Sequence, residues 1–175
     1  MSSGKSLFKQ TLIYGIATVL PRMLSFFLVR LYTDYMPTNE YGKVSIIFSF
    51  MVFFNVVLSY GMETAFFRFY SKEDDKRKVI STSTISLFWS TIGFLILFLL
   101  FRKDLALWSK INVEYIVFTI WILALDALAI IPFSKIRAEG RPIKYAIIKI
   151  LNVVINLSLN IFFLAFLPNW ATNTD

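Results

Sequence analysis

The sequence predicts an all-α fold, a polytopic transmembrane helix bundle of five spans with a cytoplasmic N-terminus, and three observations predict it. Hydrophobic residues make up 57% of the chain and mean hydropathy is +0.67, too apolar for a fold whose surface faces water. The apolar residues come in blocks of twenty or more, the length a helix needs to cross a hydrocarbon core of about 30 Å. Lys and Arg gather in the short loops between those blocks, not along one helical face.

The expected spans are residues 11–33, 44–67, 80–101, 113–133 and 143–167, forming one membrane domain over 1–175. Helices are required, because a lone strand leaves its backbone unsatisfied in lipid and no alternating strand pattern is present. The first block follows MSSGKSLFKQ. It is too long for a signal peptide and lacks a small-residue cleavage site, so it reads as a retained span. Pro21, midway along it, is expected to kink or break that helix. The second block runs into GMETAFFRFYSKEDDKRK, an acid-bearing apolar run that ends in a basic loop. In the fifth, Pro142 suits a first helical turn and Pro168 closes the block.

Orientation follows from the loop cations. Lys5, Lys9, Lys72, Lys76, Arg77, Lys78, Lys135, Arg137, Arg141 and Lys144 fall on one side, against Lys43, Arg102, Lys103 and Lys110 on the other, which puts the N-terminus in the cytoplasm. Trp108, Trp170, Tyr32, Tyr35 and Tyr41 fall at the outer boundaries, where amphipathic rings favour headgroup level. The KEDDKRK loop is a solvated topology signal by the same rule.

Composition also excludes chemistries. The chain has no Cys and no His, which removes disulfides, thiolate or imidazole zinc sites, Ser-His or Cys nucleophile systems and imidazole proton relays. No metal or cofactor is expected. The net charge of +7 does not point to nucleic acid, because the cations lie in loops between spans.

Polar residues inside the spans fall into stripes. At about 100° per residue, Thr11, Gly15, Thr18, Arg22 and Ser25 share a face of the first helix. Ser45, Ser49, Ser59 and Glu63 share one on the second, with Asn55 at its margin. Lys149, Asn152, Asn156 and Asn160 form a third, and Asp126 is the single acid near the middle of the fourth helix. Such stripes have two uses: hydrogen bonds that join helices, at roughly 0.6 to 2 kcal/mol each, or the lining of a wet pathway. Arg22 and Asp126 each carry an insertion penalty of about 2.5 to 3.5 kcal/mol, which favours a pathway, though a structural salt bridge stays open. Glu63 and Arg68 lie nearer the interface, where snorkelling or pairing is an equal alternative.

Three segments carry a family resemblance: LIYGIATVLPRMLSFFLVRLYTDYMPTNEYG, YGMETAFFRFYSKE and ILALDALAIIPFSKIRAEGRPIKYAIIKILNVVINLSLNIFF. In their order and combination they resemble the N-terminal portion of bacterial polysaccharide flippases of the O-antigen type, within the multidrug/oligosaccharidyl-lipid/polysaccharide exporter superfamily. The resemblance implies a two-bundle transporter at the bacterial inner membrane. Such a protein flips polyprenyl-pyrophosphate-linked oligosaccharide by alternating access through a cationic cavity. On that basis Arg22 corresponds to a cavity arginine of the first helix, with Arg30 and Lys149 as further cations. Asn152, Asn156 and Asn160 are candidates for sugar hydroxyls, and Glu63 and Asp126 for ion coupling. The expected partners are the lipid-linked oligosaccharide, membrane lipids and a C-terminal bundle, since the chain resembles a fragment supplying five helices of the first bundle. Two rivals stand beside it: a membrane-embedded polyprenyl-dependent glycosyltransferase with Asp34 or Glu40 as its loop acid, and a structural membrane subunit, which would leave Arg22 and Asp126 without a task.

Overall fold

A computed structural model describes residues 2–166. Within them lie α1 (Ser2–Tyr35), α2 (Thr38–Ser59), α3 (Met62–Lys72), α4 (Lys76–Leu100), α5 (Arg102–Ser109), α6 (Val113–Ala138), α7 (Pro142–Ile161) and a π-helical turn, Phe162–Phe166. No strand occurs among the described residues. Four stretches are long and apolar enough to cross a membrane: Thr38–Lys72, Lys76–Leu100, Val113–Ala138 and Pro142–Leu164. They coincide with four of the five expected spans. The first expected span lies on α1, where the side chains of Pro21 and Arg22 fall outside the description, as do Pro168 and Trp170 altogether.

Three expectations about these elements are corrected. Of the kink or break expected at Pro21, the break does not occur, since α1 is helical through it. Proline removes one backbone donor, and the surrounding turns keep the helix together, as membrane helices commonly do. The second span, by contrast, is interrupted: Tyr60 (φ 30) and Gly61 (φ 72) are both left-handed. Gly61 adopts that conformation without a Cβ penalty, while Tyr60 gives up about 1 to 2 kcal/mol. The interruption puts Glu63 on a different helix from Ser45, Ser49 and Ser59, so the expected continuous stripe is divided. The third correction is α5, a short helix where only a loop was expected, ending at Lys110 in the left-handed region (φ 56).

The basic loop after α3 has a local task at both ends. Asp75 caps α4, its Oδ1 accepting the Lys78 backbone N–H at 3.1 Å, an N-cap contact worth about 1 kcal/mol. The Lys76 ammonium donates to the carbonyls of Tyr70 and of Glu73, the latter at 2.6 Å. It thereby satisfies oxygens exposed at the end of α3. Pro142 opens α7 in its first turn, as expected.

The chain divides into two compact units. In one, built from α1, the first residues of α2 and α7, α7 packs along α1 and buries none of its residues. The other covers residues 43–139, where α4 and α6 pack together, α3 packs on both and α5 on α6. Its core has two tiers. Leu58, Phe94, Ile120, Leu123 and Ala127 form one around the end of α2. Phe66, Val79, Leu87 and Ile131 form the other around α3, with Phe66 fully buried. Thr91, also buried, has a hydroxyl without a hydrogen-bond partner.

Candidate functional site

Within residues 43–139, polar groups interrupt the apolar packing at three levels. Asn55 Nδ2 of α2 donates to Asp126 Oδ2 of α6 at 3.5 Å. Both residues sit inside spans where neighbours such as Ala124 and Ala127 are buried, while Asp126 itself is exposed. Next, the Tyr60 hydroxyl lies 3.3 Å from Ser86 Oγ and accepts from Ser90 Oγ at 3.4 Å. Finally, Arg137 Nη1 donates to Glu63 Oε1 in an ion pair, and the guanidinium also lies 5.1 Å from the Phe67 ring centroid.

The polarity of that ion pair matches its helices. Glu63 occupies the first turn of α3, where free N–H groups favour an anion, and Arg137 the last turn of α6, where free carbonyls favour a cation. Glu63 and Arg137 remain 47% and 42% exposed. Asp126 and Arg137 lie about 16 Å apart along α6 at 1.5 Å per residue, so the two acids belong to separate levels.

The α1–α7 unit has its own polar seam. Tyr32 OH of α1 donates to Asn160 Oδ1 of α7 at 2.6 Å. The Asn160 amide nitrogen donates to the Asn156 carbonyl at 2.8 Å and to Asn156 Oδ1 at 3.1 Å. Asn160 is thus used at both ends of its carboxamide, in the helix-joining manner open to such stripes. Asn152, two turns before it, is exposed. Arg30 pairs with Asp34 on its own helix at 3.8 Å, with side chains 84% and 60% exposed. The Lys149 ammonium lies 6.0 Å from the Tyr145 ring centroid.

Of the candidate site residues, Asn156 and Asn160 therefore meet Tyr32, while Arg30 and Lys149 find contacts on their own helices. Glu63 and Asp126 pair with Arg137 and Asn55 in the other unit. The Arg22 backbone is helical, and its side chain lies outside the description. Arg137 is not marked in the sequence as the partner of Glu63, because a cation in a loop between spans is already accounted for by topology. Tyr32 is not marked as a helix-joining donor either, because a tyrosine at a span boundary is already accounted for by the interface. Gly61, two residues before an acid inside an apolar run, was the available sign of the helix break. Among the described residues no group of three metal-ligating side chains comes together.

Residues 7–171 match the family described as polysaccharide biosynthesis protein. No curated protein and no solved structure matches the chain.

Proposed function

This chain belongs to the polysaccharide biosynthesis protein family, and from that premise we propose that it flips a lipid-linked glycan. The substrate is a polyprenyl-pyrophosphate-linked oligosaccharide, moved by alternating access from the cytoplasmic to the outer leaflet of the bacterial inner membrane. The family match carries the reading, because it runs through all four candidate spans. Polar pairs inside those spans support it.

In this reading the protein is a transporter, not an enzyme, and the substrate leaves covalently unchanged. A pyrophosphate within a membrane protein needs multidentate cations. Arg22 supplies the fork that binds it, and Arg30 and Lys149 assist at its edges. Asn152, Asn156 and Asn160 offer amides to sugar hydroxyls through water, which tolerates varied glycans. Outward movement of an anion from a negative cytoplasm is favourable by about 2.3 kcal/mol per charge per 100 mV. Ion coupling is therefore an accessory, and of its two candidates Asp126 is the better placed. Glu63 has a structural occupation in its pair with Arg137.

The test is Arg22→Ala in the full-length protein in cells. Export of the lipid-linked glycan is expected to be abolished, with membrane insertion unchanged and partial recovery in Arg22→Lys. Normal export by Arg22→Ala would overturn the assignment.

A further inference from the structure

The two halves of the interrupted span are held very differently. α3 is anchored: Phe66 is fully buried between α4 and α6, and Glu63 is ion-paired to Arg137. α2 buries a single residue, Leu58, one position from its C-terminal end. Along the rest of it Val52, Phe53, Val56 and Val57 are each more than half exposed.

Between α2 and its neighbours the packing is incomplete. A cavity of about 80 Å³ lies among Phe50 and Phe54 of α2, Phe94 and Phe98 of α4, Trp108 of α5 and Ile120 of α6. Protein interiors pack densely, and a void forfeits the attraction of its walls, so α2 is held less tightly here than a filled contact would hold it. Aromatic faces meet across this gap at several angles, including Phe54 edge-on to Phe98 at 4.9 Å and Phe50 tilted to Trp108 at 5.7 Å. Beside it, Asn55, the residue after the lining Phe54, donates the long hydrogen bond to Asp126 of α6. The backbone turns at two consecutive left-handed residues, Tyr60 and Gly61, where helical hydrogen bonding is interrupted. Hinges form where a few residues at element ends absorb a change of φ and ψ.

We propose that α2 is a hinged arm: residues 43–59 swing about Tyr60–Gly61 while α3 stays fixed on α4 and α6, with the Asn55–Asp126 hydrogen bond as the clasp and the aromatic cavity as the space the arm closes into. The arm has two positions, clasped over the cavity or released from α6. The Tyr60 hydroxyl, held near Ser86 and Ser90, keeps the pivot registered on α4. This goes beyond the transport reading and does not depend on it, since the motion belongs to the helix whatever it moves.

These 175 residues contain no cysteine, so introduced thiols report on their helices, with any cysteine elsewhere in the full-length protein replaced by serine. Spin labels at Val52→Cys and Leu97→Cys report the arm against α4, and labels at Ser71→Cys and Ile85→Cys report the anchored α3. All are recorded by pulsed dipolar spectroscopy on the full-length protein in lipid nanodiscs. The arm pair is expected to show two distance populations and the anchor pair one. Asn55→Leu is expected to enrich the longer arm distance at least threefold without moving the anchor pair. A single narrow arm distance in both wild type and Asn55→Leu overturns the proposal, and so do two pairs of equal breadth. Where Asn55→Leu fails to insert, the wild-type contrast between the pairs decides by itself. Transport is not part of the readout, so its failure would count against the flippase reading alone.

Discussion

Phe66 of α3 is fully buried between α4 and α6, whereas α7 lies along α1 without burying one residue. Both associations form within a bundle of membrane-length apolar helices, in a solvent that does not reward apolar contact as water does. In lipid, helices join through close packing and through hydrogen bonds. The α3 tier relies mainly on the first, with interlocking Phe66, Leu87 and Ile131 and an ion pair at its edge. The α1–α7 pair shows a hydrogen-bonded seam, in which Tyr32 joins α1 to the Asn160–Asn156 pair of α7. A tightly packed tier is a fixed support, and a seam of hydrogen bonds can be exchanged for hydrogen bonds to water.

That contrast breaks most visibly at Phe66. Phe66→Ala should cost about 3 to 5 kcal/mol on the scale of large-to-small core substitutions, read by reversible denaturation in mixed micelles. A loss below 1 kcal/mol would mean the tier is not close-packed. Tyr32→Phe should cost less, about 0.6 to 2 kcal/mol, and should loosen α7 from α1 in cysteine crosslinking while leaving the α3 tier alone. Equal losses from Phe66→Ala and Tyr32→Phe would erase the distinction. Arg137→Ala should cost about 1 kcal/mol or less, because both partners of its ion pair are nearly half exposed. The smallest effect belongs to Arg30→Ala, about 0.5 kcal/mol at most for an exposed pair one turn apart on a helix. A larger loss there would show that Arg30 has contacts beyond Asp34.

The fold class was legible because it depends on quantities that add along the chain. About twenty apolar residues in a row require a helix in lipid whatever their order, and helices long and apolar enough to cross a membrane do cover four of the expected blocks. The break at Tyr60–Gly61 was not legible by that route. Hydropathy averages over it, and the deciding variable is a pair of φ angles that one glycine permits. For the same reason α5 escaped notice, its eight residues being too short to register as a span. Candidate site residues were legible as stripes but not as partners. Asn156 and Asn160 stand on one face as the helical period required, yet only the packing of α7 on α1 brings Tyr32 to them. Asp126 was conspicuous as an acid in a span, and Asn55, its donor, was marginal in the stripe of its own helix.

Movement of the substrate without chemistry is tested most directly by a leaflet assay on the purified full-length protein. Proteoliposomes would carry a fluorescent polyprenyl-pyrophosphate oligosaccharide in one leaflet, with its arrival in the other read by a membrane-impermeant quencher and its covalent structure by mass spectrometry. The expected result is protein-dependent transfer between leaflets of an unaltered substrate, lost in Arg22→Ala. Glycosyl transfer onto an acceptor, or an unchanged leaflet distribution with correctly inserted protein, would contradict it.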